Sequence, residues 1–130
     1  MAYVDGFVIP LHKSKVEEYP RISAQAGVVW REHGALEYRE CVGEDLAPHD
    51  MTPFGVAVDA GPDETVIFAW ITYRSREHRD EVNAKAMSDP RLQGPDDMPF
   101  DVTRMRYGGF EVLVDAFDPA METPAAMNAG

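Results

Sequence analysis

The chain reads as a small α+β domain, an antiparallel sheet with two helices on one face. Three observations predict this. Four segments rich in aromatic and β-branched residues, at 3–10, 35–43, 65–73 and 103–115, carry strand patterns. Two stretches with apolar residues every three to four positions, 14–34 and 75–90, fall between them. A length of 130 residues suits one domain with a real core.

YVDGFVIP (3–10) alternates, with Tyr3, Asp5, Phe7 and Ile9 on one face and Val4, Gly6 and Val8 on the other; Pro10 is expected to end it. In 14–34, Ser14 and Glu17 have capping-box spacing, and Val16, Tyr19, Ile22, Ala26, Val29 or Trp30, and His33 repeat with helical period. Pro20 removes a backbone donor, so the helix either kinks there or begins near Tyr19. Gly34 suits the left-handed turn that closes it. ALEYRECVG (35–43) alternates again, with Leu36, Tyr38, Glu40 and Val42 sharing a face. A proline-containing loop follows, and FGVAVDA (54–60) reads as a further short strand or as a continuation of the second strand after an excursion. TVIFAWITY (65–73), the most apolar segment, reads as a central strand covered on both faces. Ser75 caps the second helix and Pro90 stops it. After a turn-rich loop, TRMRYGGFEVLVD (103–115) reads as the last strand.

This order is a duplicated split β-α-β unit, the ferredoxin-like pattern, with a domain over 1–117 and a C-terminal tail, 118–130, expected to fray. Helices cover one sheet face only. The other face would expose either Tyr3, Phe7 and Ile9 or Phe68 and Trp70, depending on register. A second copy packed back to back would bury it, so a homodimer closing into a dimeric α/β barrel is expected.

Twelve Lys and Arg against twenty-three Asp and Glu give a net charge of −11. Such a surface repels phosphate backbones and anionic membranes, so neither nucleic acid nor membrane is an expected partner. Cys41 is the single cysteine, and the opening residues do not form a basic-then-apolar leader. A cytoplasmic location and a buried, inert thiol are the expectation.

YVDGFV, VIFAWITY, the Ser-capped helix with RDEVN, MSDPR, and MPFDVTRMRYGGFE occur in this order over roughly residues 2–115. Together they resemble the YbaA-like family of bacterial proteins, catalogued as a domain of unknown function. The resemblance implies a member of the dimeric α/β-barrel superfamily. It brings no catalytic residues with it. Relatives of that barrel include cofactor-free monooxygenases, haem-degrading enzymes, lactone isomerases and plain ligand binders, and fold alone does not choose among them.

The chain's own candidates are few. Asp5 and Glu40 are carboxylates in otherwise apolar strands, suited to general-base work if buried and otherwise to pairing with Tyr38, Tyr73 or an arginine. Arg104 and Arg106 alternate with Met105 and Tyr107. Arg104 has the geometry to anchor a carboxylate ligand, but pairing with Asp101, Asp89 or Asp5 is the commoner use of such a residue. Arg91 in MSDPR reads as a paired or solvated arginine at a helix end. Tyr38, Trp70, Tyr73, Met105 and Tyr107, with Arg104, are the expected lining of a ligand cavity between sheet and helices. His12, His33, His49 and His78 have no ligand spacing, so no metal is expected. His78, among Arg76, Glu77 and Arg79, reads as a solvated face and not as a haem ligand. No cofactor fingerprint is present.

Three functions follow: a homodimeric small-molecule binder; a cofactor-free enzyme of monooxygenase or isomerase type on a small organic acid or lactone, with Asp5 or Glu40 as base; or an interaction protein without a pocket.

Overall fold

The computed structural model describes residues 1–47, 49–92, 94, 97–117 and 120. The elements follow the order β1 (Tyr3–His12), α1 (Tyr19–Glu32), β2 (Glu37–Val42), β3 (Glu64–Tyr73), α2 (Arg76–Met87) and β4 (Arg106–Glu111). The strands form one open, four-stranded sheet in the order β2-β3-β1-β4, and every neighbouring pair is antiparallel.

Register fixes the two faces. Phe7 pairs with Ala69 and Tyr107, Ile9 with Ile67, and Tyr38 with Ile71. These residues look towards the helices. Tyr19 of α1 joins Ile9, Leu11, Ile67 and Ala69 in one core cluster, and Val82 of α2 joins Ala35, Ile71 and Tyr73 in another. Both helices therefore cover the same face. Of the two alternatives open in the sequence, Phe68 and Trp70 take the uncovered face. Phe68 is 45% exposed, so β3, though central in the sheet, is not covered on both sides.

Several boundaries differ from expectation, each for a physical reason. Pro10 lies inside β1, paired with Val66. The pairing with β4 ends at Val8, so the missing donor can face an open edge. Ser14 does not cap a helix; its own N–H donates to His12 Nδ1 at 3.1 Å in a short 3-10 turn, Lys13–Lys15. Of the two outcomes open at Pro20, the helix takes the later start, at Tyr19, which puts Pro20 in the first turn, where no donor is lost. Residues 54–58 form a 3-10 turn and not a strand. β3 is already bonded to β1 and β2, and the turn lays Phe54 edge-on against Phe68, with ring centroids 5.7 Å apart, while burying Val58. The last strand starts at Arg106 because Asp101 holds the preceding residues in a turn, accepting from both the N–H and the hydroxyl of Thr103.

Two side chains also differ. His78 is buried: its ring meets Tyr73 edge-on, and Nδ1 accepts the Arg74 N–H at 3.0 Å. Cys41 is exposed, because turning Tyr38 and Glu40 to the helices sends Cys41, paired with Phe68, to the open face. The tail from 118, expected to fray, lies outside the described residues except for Ala120.

Candidate functional site

A hollow of about 390 Å³ lies between the helix-facing side of the sheet and α1. That is within the range of small-molecule sites. Phe7, Ile9, Ala69 and Ile71 line it from the sheet, Ile22 and Trp30 from α1, and Phe100 and Met105 from the segment before β4. These walls are apolar because strand alternation and the helical period both turn their apolar residues to this space.

Gln25, Arg39, Asp89 and Arg91 also border the space, but one organised polar cluster interrupts the apolar walls. Glu40, at mid-strand in β2, accepts three hydroxyl protons. Tyr19 donates to Oε1 at 2.5 Å, Tyr38 donates to Oε2 at 2.6 Å, and Ser23 donates to Oε2. Tyr19 and Ser23 are four residues apart on α1 and so share a helix face; Tyr38 is two residues from Glu40 and shares its strand face. Burial and then the Glu40 charge push the ionisation of both tyrosines well above the usual phenol range, so both remain O–H donors. The same four residues also border a second, more open groove of about 620 Å³ between α1 and β2. The Glu40 cluster is thus a polar partition reachable from two sides.

Asp5 lies elsewhere, 2% exposed, on the sheet beneath α2. Arg79 of α2 donates to its Oδ1 at 2.8 Å and to the Tyr107 hydroxyl at 2.9 Å, while its guanidinium carbon sits 4.9 Å over the Tyr3 ring. Tyr107 donates to Asp5 across 3.3 Å. Desolvation raises the Asp5 carboxyl above its usual value, against the opposing pull of Arg79. The Tyr73 hydroxyl, fully buried on the same side and close enough to Asp5 to feel its charge, meets no partner at full hydrogen-bond geometry among the described residues.

The sequence candidates therefore divide into three groups. Glu40, Tyr38 and Met105 line the hollow. Trp70 borders it through its strand, but its indole is on the open face, donating to Glu37 at 3.0 Å. Asp5, Tyr73 and Tyr107 form the separate cluster under α2. Arg104 belongs to neither: it holds Glu64 through two hydrogen bonds of 2.8 and 2.7 Å, reaches Asp101 at 3.2 Å, and donates to the Asp59 carbonyl at 3.1 Å. Hydrogen bonds from Arg104 and from the Gly61 N–H bring the Glu64 carboxyl down to about 2. Arg91, at the mouth of the hollow, pairs with Asp89 and Glu32, and Asp89 also meets His33 at 2.9 Å, tying the end of α1 to the end of α2. Among the described residues, no group of three or more His, Cys, Asp or Glu is placed to hold a metal, and no helix is long and apolar enough to cross a membrane.

Sequence reasoning missed Tyr19, Ser23 and Arg79. The first two carried a signal, a Tyr and a Ser at i,i+4 beside a mid-strand carboxylate. Arg79 carried none, because its run, SREHRDE, reads as a solvated face.

Comparison with known proteins agrees with the motifs. The chain is 45% identical over 116 residues to the uncharacterised protein YbaA of Escherichia coli strain K12, spanning 88% of this chain and 99% of that relative. The same figures hold for the YbaA protein of Shigella flexneri. The family described as "Protein of unknown function (DUF1428)" matches residues 2–102, a span that contains the whole Glu40 cluster. The chain belongs to this DUF1428 family of proteins of unknown function.

Proposed function

We propose that the chain is a homodimeric, cytoplasmic small-molecule-binding protein whose ligand occupies the hollow between the sheet and α1. One observation carries this reading: a largely apolar space of about 390 Å³ bordered by an organised polar cluster, Glu40 with its three hydroxyls. The split β-α-β order and the strand order β2-β3-β1-β4 support a ferredoxin-like fold. The uncovered sheet face supports pairing of two copies into a dimeric α/β barrel: Phe68, Trp70 and Phe110 lie on it beside Val4 and Val8, and Phe54 packs edge-on against Phe68. A free, exposed Cys41 fits a reducing compartment.

The enzyme reading has less behind it. The acid-anchoring arginine it needs, Arg104, is fully engaged outside the hollow, and Asp5 faces Arg79 instead of a cavity. A role as a pocketless interaction protein leaves the hollow without a purpose.

The test is to fill the space. Ala26 lines the hollow from α1. Ala26→Phe is expected to abolish binding of toluene, measured by calorimetry, while circular dichroism stays that of the unmodified chain. Unchanged toluene binding in a folded Ala26→Phe variant, or no toluene binding by the unmodified chain, would show that the hollow is not a ligand site.

A further inference from the structure

The proton arrangement at Glu40 restricts what a ligand in the hollow can be; this step rests on the cavity reading above. A Tyr or Ser hydroxyl has one proton to donate. Tyr19, Ser23 and Tyr38 all spend theirs on the Glu40 carboxylate. The cluster therefore turns only lone pairs outward: those on the three hydroxyl oxygens, and the unused capacity of Oε1, which receives one bond where Oε2 receives two. It is an all-acceptor surface.

The cluster also carries a negative charge with no cation on it. Among the described residues, no Lys, Arg or His forms an ion pair with Glu40, although the other part-buried carboxylates, Glu37, Glu64 and Asp89, each have one. Two arginines border the hollow, and both guanidiniums are engaged elsewhere. Arg39 lies 3.8 Å from Glu37 and over the Trp70 ring, and Arg91 is held by Asp89 and Glu32. A part-buried carboxylate facing an apolar space without its counter-charge is costly, and a positive ligand would relieve that cost. The rings of Tyr19, Trp30 and Phe100 around the space suit a cation with an apolar body.

We propose that the hollow takes an organic amine, its ammonium donating to the Glu40 cluster and its hydrocarbon or aromatic body lying along the sheet. A carboxylate or phosphate ligand would bring charge repulsion and no donor to this surface. A neutral alcohol would satisfy an acceptor but leave the charge unpaired.

Three probes of similar size test this on the full chain by calorimetry: phenethylammonium, 3-phenylpropionate and toluene. The expected result is at least tenfold tighter binding of phenethylammonium than of 3-phenylpropionate. Glu40→Gln removes that preference and leaves toluene binding intact. Tyr19→Phe, which keeps the charge, retains the preference. Equal affinity for amine and acid in a chain that binds toluene overturns the amine inference alone. So does an amine preference that survives Glu40→Gln, since a net charge of −11 attracts cations non-specifically. Failure to bind toluene overturns the cavity reading instead. Should Glu40→Gln not fold, the side-chain carboxylate carbon signal of Glu40 in the unmodified chain decides: a shift on adding phenethylammonium supports the proposal, and no shift at saturation overturns it.

Discussion

Gly108 and Gly109 make room on opposite faces of β4. A Cβ on Gly108 would meet the Phe110 ring at 3.4 Å, and one on Gly109 would come within 2.9 Å of ring carbons of Tyr3. The first glycine lets Phe110 lie flat across the open face. The second lets Tyr3 stand beneath the Arg79 guanidinium. The polar groups beside these glycines are likewise used inside the protein, Arg104 on Glu64 and Asp101, and the Tyr107 hydroxyl on Asp5 and Arg79. Asp5 and Arg79 give the sharper prediction. Removing one member of a buried pair leaves the other uncompensated, at a cost of about 3 kcal/mol. Arg79→Met is therefore expected to lower urea stability by about 3 kcal/mol near pH 7. The effect should depend on pH in a definite sense. The folded-state Asp5 carboxyl is raised above its unfolded value, so the native state binds the proton more strongly. Stability from that proton is fully present below the unfolded value of 3.8 and is lost as pH rises through the folded value. In Arg79→Met the folded value rises further, so the deficit should shrink as pH falls and neutralises Asp5. A deficit constant from pH 7 to 4 would show that the Arg79 contribution is packing over Tyr3 and not charge.

At the scale of elements, the seam between α1 and α2 depends on Gly34. Its φ of +115° is a conformation that L side chains rarely adopt, and a Cβ there would touch His78 and Val82 at 3.4 Å. Gly34→Ala is expected to cost about 2 kcal/mol, read as a lower urea midpoint with an unchanged slope. An unchanged midpoint would mean that the turn relaxes freely. Gly34 was legible as a helix terminator because glycine after a periodic run has one common use. The same holds for Ser75, whose hydroxyl accepts the His78 N–H as its position suggested. What could not be read was partnership across the fold. Pro10 looked like a strand end because no sequence signal tells which edge of β1 lacks a neighbour. Residues 54–58 looked like a strand because their valines alternate, but β3 has no free edge for them to pair with. Glu40 could be picked out as a mid-strand carboxylate; that three hydroxyls from α1 and β2 converge on it follows only from how the helix lies on the sheet. His78 shows the limit in reverse: its neighbours are charged, but its own position on α2 points at Tyr73.

For the whole molecule, the open sheet face and the net charge pull in opposite directions, and their balance is testable. The centre of that face belongs to β1 and β3, with Val4, Val8, Phe68 and Trp70; its margins belong to β2 and β4, with Glu37, Arg39 and Arg106, and with Phe110, whose ring reaches inward against Gly6. An apolar centre within a polar rim is the usual layout of a protein interface. Yet each copy carries −11, so two copies repel at long range. Salt shortens the screening length from about 10 Å at 0.1 M to about 3 Å at 1 M and leaves apolar burial intact. A dimer through this face should therefore tighten as salt rises, the opposite of one held by ion pairs. Sedimentation velocity at low and high sodium chloride reads this directly, with a dimer dissociation constant expected to fall several-fold. Phe68→Asp puts a carboxylate at the apolar centre beside Trp70 and Phe54, and is expected to give a folded monomer at either salt concentration. Because Phe68 is half-exposed and outside both core clusters, loss of the dimer in this variant would not arise from loss of the fold. A wild-type chain that sediments as a monomer at every salt concentration would remove the barrel and leave the Glu40 hollow as a feature of the single chain.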